Sequence, residues 1–346
     1  MKNNKYKSNE DFAYHIRNYL SIYLPRYKGL GENTIISYRD TFVLLMKYFK
    51  EIKKISPEKI TLEHLTKELI KSFLDWLEQT RGSMISTRNH RLSVIHAFFR
   101  YLQLEEPENI YLSQQIIAIK LKKQPKPIIN YLTLEGLRAI LAQPDTLDKR
   151  GYRDLVLLAT FYDTGARVSE IADLTVGDIR LTEPATVKLT GKGKKSRLVP
   201  LLSKTTKYLK KYLKINKLDL PASKDCPVFF NRKKEKLTRA GISYILNKYG
   251  NMVREKFPDI IPPKVSPHCL RHSKAVHLLQ SGINLVYIRD LLGHSSIKVT
   301  EVYARADEDI KRKALEKASK DVSPNKKPVW QNDNNLMSWL QNLCKT

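Results

Sequence analysis

The chain has few cysteines and no long apolar run. Its 346 residues include only Cys226, Cys269 and Cys344, at spacings that suit neither a zinc site nor a set of disulfides. We therefore predict no metal or other cofactor, and we expect reduced thiols, as in a cytoplasm. No apolar stretch reaches the roughly 18 residues of a membrane-spanning helix, and the lysine-rich start lacks the apolar core of a signal peptide. We expect a soluble cytoplasmic protein without a membrane partner.

Acidic residues are also scarce relative to basic ones. The chain has 62 Lys and Arg against 35 Asp and Glu, which gives a formal net charge of +27. A surplus of this size favours a polyanionic partner, nucleic acid above all, although a solubilising surface charge is the plain alternative. The length suits two domains better than one, and a hydrophobic content of 42% supplies a core for each.

The first third of the chain predicts a small bundle of four amphipathic helices. Apolar residues recur there at steps of three and four, with Thr34 as a candidate cap of the second helix and Ser86 and Thr87 as candidate caps of the fourth. Four such helices with short connections favour a small helical domain over residues 1–121.

Four basic residues near the end of this domain are candidate DNA contacts. Arg88 and Arg91 lie beside the apolar stripe of the fourth helix, where a solvated basic face and a face laid along DNA are both compatible with the pattern. Residues 122–130 contain two prolines and three lysines, which predicts an extended linker that begins with Lys122 and Lys123. We expect these side chains to contact DNA phosphates.

Residues 131–318 predict a second, mainly helical domain with one β-hairpin. The runs 185–189 and 197–200 are β-prone and stand on either side of the tight segment 191–195. The tail, residues 319–346, is polar at first and ends in an apolar cluster at helical spacing. The predicted fold class is therefore mainly α with a small β-hairpin or sheet, in which the second domain is mixed α/β.

The hairpin tip carries a cluster of lysines. Its sequence, GKGKKS, is not a phosphate-binding P-loop, because that motif connects a strand to a helix and here strand-prone residues stand on both sides. Lys192 lies between two glycines, so it can project into a groove, although turn lysines are usually only solvated. Lys194 and Lys195 are further candidate phosphate contacts.

The sequence SPHCLRH places a histidine and an arginine at a helix start. Ser266 is a candidate N-cap and Pro267 suits the first helical position. His268 and Arg271 then lie on one face, near free backbone N–H groups that attract phosphate. Since a buried arginine needs an anionic partner, either a structural carboxylate or a bound phosphate would satisfy Arg271.

Two further motifs combine a helix-terminating glycine with polar side chains. In TGARVSE, Gly165 ends a helix, Arg167 begins the next, and Glu170 lies one turn on, where it can hold Arg167. In LLGHSS, a glycine again ends a helix before His294, and Tyr303 follows nine residues later. Each motif alone fits an ordinary salt bridge or packing residue.

Taken in order, TGARVSE, the GKG hairpin, HCLRH, LLGHSS and the later tyrosine resemble the tyrosine recombinase or phage integrase family. The resemblance covers about residues 131–305 and extends more weakly to the N-terminal helices, which are similar to the family's core-site-binding domain. It implies that Tyr303 attacks a DNA phosphate to form a 3′-phosphotyrosyl bond, that Arg167 and Arg271 bind the non-bridging oxygens, and that Lys192 is the general acid.

The same resemblance implies roles for the remaining polar residues. His268 and His294 would form hydrogen bonds around the phosphate and the tyrosine, with His268 as the expected proton-transfer partner of the nucleophile. Glu170 would orient the first arginine. We expect His272 and His277 to be structural.

The resemblance also implies four subunits on double-stranded DNA with inverted core sites, a Holliday-junction intermediate, and a tail helix that docks onto a neighbouring subunit. The basic tail favours integration or excision of a mobile element, and chromosome-dimer resolution of the Xer kind, alone or with a second recombinase, is the alternative. A type IB topoisomerase and a non-catalytic DNA-binding regulator are the other candidate classes. A regulator would lack catalytic side chains, and none of them is missing here.

Overall fold

The computed structural model describes residues 12–124, 129–191, 193, 195–306 and 336–343. Contacts between residues divide the chain into two compact units, Met1–Pro127 and Ile128–Thr346. The division falls inside the proline-bearing segment 122–130. The described residues at either end of that segment, 121–124 and 129–133, are not helical.

The first unit is built from α-helices around an aromatic core. The helices are α1 Phe12–Asn18, α2 Glu32–Tyr48, α3 Lys67–Gln79, α4 Ile85–Glu105 and α5 Ile110–Ile117. Two π-helical segments, Tyr19–Tyr27 and Phe49–Lys53, extend α1 and α2. The ring of Phe98 packs edge to face against Phe12 and Phe42, with ring centroids 5.8 and 5.2 Å away.

The first unit differs from its prediction in one helix and in two helix starts. The prediction of four helices omits α5, an eight-residue helix too short to be stable alone; it is stabilised by contacts with α4, and Ile116 is fully buried. The predicted caps are wrong, because α2 begins after Gly31 and α4 begins after Met84. In both cases the helix begins before the capping residue that the local sequence favoured.

The second unit is mainly helical, as predicted, with a small sheet. Its helices are α6 Leu134–Leu141, α7 Lys149–Thr164, α8 Val168–Ala172, α9 Ser203–Ile215, α10 Arg239–Lys256, α11 Pro267–Gln280, α12 Leu285–Leu292, α13 Ile297–Ala306 and a short helix Leu336–Asn342. None of the helices in the described part of the chain is long and apolar enough to span a membrane.

The sheet is antiparallel, and its order follows the chain. It consists of β1 Ile179–Arg180, β2 Thr186–Thr190 and β3 Ser196–Pro200. The predicted hairpin is β2 and β3, whereas the two-residue strand β1 was not predicted. Buried Val187 pairs with buried Val199, and Leu189 pairs with Arg197, so that arginine shares the inner face of the sheet.

Candidate active site

Arg167 lies at the junction between α7 and α8 and is held by Glu170. Gly165 ends α7 in the left-handed conformation, with φ of 57°, which favours glycine. The backbone then extends through Arg167, the residue before α8. A carboxylate oxygen of Glu170 accepts a hydrogen bond from the backbone N–H of Arg167 at 2.7 Å, and the other oxygen accepts from its Nη1 at 2.9 Å. The pairing inferred from TGARVSE is present.

The same carboxylate binds a second arginine. Arg197 on β3 donates from Nη1 and Nη2 to the two oxygens of Glu170, at 2.9 and 2.8 Å. Burial opposes the charge of Glu170, but the hydrogen bonds from Arg197 and Arg167 outweigh it and lower the pKa of the carboxyl to about 2. Sequence reasoning missed Arg197. Its position two residues before inward-facing Val199 in a strand could have indicated an inward-facing arginine, which requires an acidic partner.

Arg271 is buried without a carboxylate partner. Ser266 caps α11 and Pro267 is its first residue, as predicted. The guanidinium of Arg271 donates to the carbonyl oxygens of Gly165 at 2.8 Å and Leu292 at 2.6 Å, and no ion pair with an acidic side chain is present among the described residues. Burial, followed by the nearby charge of Arg167, lowers its pKa to about 10. Its charge is thus oriented but not neutralised, which suits a phosphate.

Tyr303 lies on α13 between two histidines and is only 4% exposed. Its hydroxyl oxygen is 2.9 Å from Nδ1 of His272. The ring of His294 stacks on the tyrosine ring, with centroids 6.2 Å apart, and Nδ1 of His294 lies 3.0 Å from the hydroxyl of Thr300. Burial raises the pKa of Tyr303, although the charges of Arg271 and Arg167 oppose the shift.

Both of these histidines are neutral at physiological pH. Burial, followed by the neighbouring His268 and Arg271, lowers the pKa of His272 to about 4. Burial and the charges of Arg271, Arg167 and Arg197 lower the pKa of His294 to about 4. A neutral imidazole retains one unprotonated nitrogen, so each can accept a proton or a hydrogen bond.

The structure corrects the expected placement of His268 and His272. His268 was expected beside Tyr303, and His272 was expected to be structural. The two histidines lie one turn apart on α11, with ring centroids 6.1 Å apart, and α13 brings the tyrosine to the later turn. His268, on the first turn, is exposed to solvent.

An open cleft of about 510 Å³ lies beside Arg167, Arg197 and His294. Arg167 and His294 line it from one side, and Lys195 and Ser196 line it from the hairpin. Lys192 and Lys194 lie outside the described residues. Among the residues that are described, no group of three or more His, Cys, Asp or Glu side chains could hold a metal ion.

Two residues treated as structural are buried in packing positions. Cys269 is 2% exposed, and its Sγ lies 3.1 Å from the carbonyl oxygen of Asn130. His277 is 7% exposed, and its Nδ1 lies 2.9 Å from the hydroxyl of Tyr162.

Comparison with known proteins decides the family. The phage integrase family model matches residues 130–309, and the model of the phage integrase N-terminal SAM-like domain matches residues 16–106. The integrase/recombinase y4rC of Sinorhizobium fredii is 35% identical over 92% of this chain and 95% of its own length. The tyrosine recombinase XerC of Thermodesulfovibrio yellowstonii is 31% identical over 85% of this chain and 92% of its own length. The chain is a tyrosine recombinase of the phage integrase family.

Solved structures support the same fold for this recombinase. The integrase of transposon Tn1549 in complex with a circular intermediate DNA has a TM-score of 0.66 and 16% identity, over 87% of this chain and 99% of that one. The XerH recombinase bound to its palindromic difH substrate has a TM-score of 0.63 and 24% identity, over 88% of this chain and 82% of that one. These structures support the fold, whereas the sequence relatives identify this protein as a site-specific recombinase.

The recombinase does not present Arg88 and Arg91 as an open basic face. Arg88 is 5% exposed, with Nε 3.1 Å from a carboxylate oxygen of Glu78. Arg91 is partly buried and donates from Nη1 to the backbone carbonyl of Ser37 and the hydroxyl of Thr41, both at 3.0 Å. These arginines therefore stabilise the first unit, because the interior of the helical bundle supplies their acceptors.

The linker lysines and the hairpin lysine are more accessible. Lys123 and Lys195 are exposed. The Nζ of Lys122 donates to Glu78 at 2.8 Å, although 45% of its side chain is exposed. The side-chain amide of Asn89 also binds the backbone N–H and carbonyl of Lys122, at 3.1 and 2.8 Å, which anchors the start of the linker to α4.

Proposed function

We propose that this recombinase cuts and rejoins double-stranded DNA through Tyr303. The phenol oxygen attacks the scissile phosphorus, the bond from phosphorus to the 5′ oxygen breaks, and a 3′-phosphotyrosyl link and a free 5′-hydroxyl are formed. The link retains the energy of the phosphodiester, so that the reverse attack can reseal the strand without ATP. The observation that carries this proposal is the buried Tyr303 hydroxyl beside a neutral histidine and two oriented arginines.

The arginines stabilise the charge that develops on the phosphate. Glu170 binds Arg167, and two backbone carbonyls accept hydrogen bonds from Arg271. The remaining N–H groups of the two guanidinium groups are available for the two non-bridging oxygens. His294 supplies a further hydrogen bond from the ring that stacks on Tyr303. Fixed donors aimed at a developing charge are usually the largest single contribution to such catalysis.

Two protons must move during cleavage. In the tautomer protonated at Nε2, Nδ1 of His272 accepts the proton of the Tyr303 hydroxyl, and exposed His268 contacts the phosphate. Lys192 donates a proton to the departing 5′ oxygen, since an alkoxide is otherwise a poor leaving group. The hairpin is a suitable support for this lysine, because Gly191 at its base lies against the Arg167–Glu170 pair.

We propose that the enzyme acts as four subunits on DNA with inverted core sites and passes through a Holliday junction. Support comes from the similarity to proteins that are solved with a palindromic difH substrate and with a circular intermediate DNA. We favour integration or excision of a mobile element, since an integrase/recombinase is among the relatives matched over most of both chains. Chromosome-dimer resolution is the second candidate, because relatives named XerC and XerD match as well.

Covalent capture tests the proposed chemistry. The wild-type protein is incubated with fragments of its host DNA and then denatured, so that DNA bound without a covalent link is released and washed away. The DNA that stays attached to the protein is sequenced. Tyr303→Phe removes only the hydroxyl, so this variant should bind the same DNA without forming a covalent link on a denaturing gel.

The outcomes separate the candidate functions. Attached reads that end at the boundaries of a mobile element support integration or excision, and reads at one chromosomal locus support dimer resolution. Covalent capture by Tyr303→Phe would assign the nucleophile to another residue. Relaxation of supercoils without strand exchange would indicate a topoisomerase, and binding without capture by the wild type would indicate a regulator.

A further inference from the structure

Three consecutive carbonyl groups at the end of α12 each accept a hydrogen bond from a different arginine. The Nε of Arg197 donates to Leu291 at 2.7 Å, Nη2 of Arg271 donates to Leu292 at 2.6 Å, and Nη2 of Arg167 donates to Gly293 at 3.1 Å. The last carbonyls of a helix have no partner within the helix and carry a partial negative charge. The end of α12 therefore fixes three guanidinium groups side by side.

Arg197 is the member of this set for which the chemistry above has no role. All three of its nitrogens are engaged: Nε at α12 and the two terminal nitrogens at both oxygens of Glu170. Only 14% of its side chain is exposed. Two-point pairing of a guanidinium with a carboxylate is the strong geometry for such a contact, and lysine cannot reproduce it.

The backbone leaves little room for any other arrangement. A Cβ on Gly293 would lie 2.9 Å from Nη1 of Arg197, and a Cβ on Gly191 would lie 2.9 Å from a carboxylate oxygen of Glu170. Two glycines, one directly after α12 and one in the hairpin, thus allow the close approach of the arginine–carboxylate pair. Arg197 connects the hairpin that bears Lys192 to the helix end that precedes His294.

The charge balance of the site depends on this arginine. Glu170 carries one negative charge and bonds to both Arg167 and Arg197. With Arg197 present, the carboxylate has a partner of its own, and the charges of Arg167 and Arg271 are left over for a phosphate. Asp290, an acid that lines the cleft, is paired with Arg289 at 2.7 Å.

We propose that Arg197 is a positioning residue of the recombinase. It neutralises Glu170 and holds the end of α12, so that the charges of Arg167 and Arg271 act on the scissile phosphate. The inference rests on the proposed function. It predicts that the loss of Arg197 slows cleavage of a negatively charged phosphodiester more than cleavage of an analogue without that charge.

The test compares two scissile groups in the DNA that wild-type protein captures covalently. One duplex, nicked beside the cleavage site, carries the ordinary phosphodiester. The other carries a methylphosphonate, in which a methyl group replaces one non-bridging oxygen and removes the negative charge. For Arg197→Met, covalent-complex formation at saturating protein should fall about 10²-fold on the phosphodiester and by no more than about tenfold on the methylphosphonate.

Two further variants serve as controls. Arg197→Lys keeps the charge but not the two-point contact, so it should slow both substrates while leaving the ratio of their rates close to that of the wild type. Lys188→Met removes a charge from the exposed face of β2, without contact to the site, and should change neither rate. If the melting curve shows that Arg197→Met does not fold, the proposal is judged on Arg197→Lys alone, by the ratio of its rates on the two substrates.

The proposal would be overturned if Arg197→Met slowed cleavage of both substrates equally. It would also be overturned if the rate ratio of Arg197→Lys departed from that of the wild type as much as the ratio expected for Arg197→Met. Undiminished cleavage by Arg197→Met would also overturn it. Failure of the wild-type protein to capture either duplex would instead reject the proposed function, and so the two failures are distinguishable.

Discussion

The Nδ1 atom of His272 lies 2.9 Å from the hydroxyl oxygen of Tyr303. The pKa of the phenol is raised by burial, whereas burial and nearby cations lower the pKa of the imidazole to about 4. At neutral pH the pair therefore consists of a neutral phenol and a neutral imidazole. If Tyr303 is the nucleophile, as we propose, its phenol needs a base at the moment of attack, and the imidazole of His272 is in hydrogen-bond contact with it.

His272→Ala should slow covalent capture by about 10²-fold, the usual contribution of a positioned general base. The variant should also gain a rate that rises with pH, because solvent must then remove the proton of Tyr303. The measurement is the rate of covalent-complex formation on a nicked duplex between pH 6 and 9. His268→Ala is the matched comparison and should keep the wild-type pH profile. If the rate of covalent-complex formation rose with pH in His268→Ala but not in His272→Ala, His268 would be the base.

Stability should fall as the solution is acidified from about pH 6.5 to about pH 4. The folded-state pKa values of His272 and His294 are lowered to about 4, so the unfolded chain binds more protons throughout that interval. Each histidine should cost on the order of 2 kcal/mol of unfolding free energy across it. Glu170 stays ionised there, because its pKa is about 2.

The check is urea unfolding at several pH values. His272→Asn keeps a hydrogen-bonding side chain but cannot titrate, so the dependence of its unfolding free energy on pH should be shallower than that of the wild type. An identical dependence in both proteins would contradict the lowered pKa of His272.

Much of the site could be predicted from the sequence because its residues lie at helix ends that the sequence marks clearly. Gly165 and Gly293 end their helices, and Ser266 with Pro267 begins another, as their local chemistry predicts. Such signals involve neighbours in the chain, so they identify Arg167 and Arg271 with their surroundings. The Glu170 pairing was predicted for the same reason.

The parts that sequence reasoning missed depend on contacts between distant segments. Arg197 reaches Leu291 across 94 residues of chain, and Tyr303 reaches His272 across 31. Two histidines one turn apart on α11 are equivalent in the local pattern, and only the packing of α13 distinguishes them. The burial of Arg88 was not predicted because its partner Glu78 lies on another helix. Helix α5 was missed because packing, rather than local propensity, stabilises it.

Lys192→Ala should block cleavage of an ordinary phosphodiester by at least about 10²-fold if this lysine is the general acid. A substrate with sulfur in place of the bridging 5′ oxygen should restore most of the rate, because a thiolate leaves without a proton. The measurement is covalent capture on both duplexes. Lys194→Ala and Lys195→Ala are the controls and should mainly weaken binding at high salt. Equal failure of Lys192→Ala on both substrates would make it a phosphate contact.

Arg88 and Lys123 should respond differently to substitution. Arg88→Met removes a buried partner of Glu78 and should lower the unfolding free energy by roughly 1–3 kcal/mol. Exposed Lys123→Ala should leave stability unchanged but reduce the slope of log binding constant against log salt by about 1, if it contacts one phosphate. Urea unfolding and DNA binding at several salt concentrations measure the two effects. A reduced salt slope with unchanged stability in Arg88→Met would restore Arg88 as a DNA contact.

Deletion of residues 332–346 should separate DNA binding from assembly. The segment contains the helix Leu336–Asn342, in which Leu340 is 49% exposed, and Leu343 just beyond it is 58% exposed. A helix of seven residues is too short to be stable alone, so these apolar side chains need a groove to pack against. If the groove belongs to a neighbouring subunit, the truncated protein should bind a single core site almost as tightly as the full chain but should fail to form the synaptic complex, as measured by native gel.

Docking onto the same subunit is the alternative, and a mixing experiment distinguishes the two. In a closed ring of subunits, each tail would contact the next active site and could couple the position of Tyr303 to a neighbour. A truncated subunit with an intact Tyr303 should then regain cleavage when mixed with full-length Tyr303→Phe, which lacks the nucleophile but supplies a tail. Docking within one subunit predicts no such rescue, because the added tail would pack on its own chain. Normal synapsis and strand exchange by the truncated protein alone would rule out docking in trans.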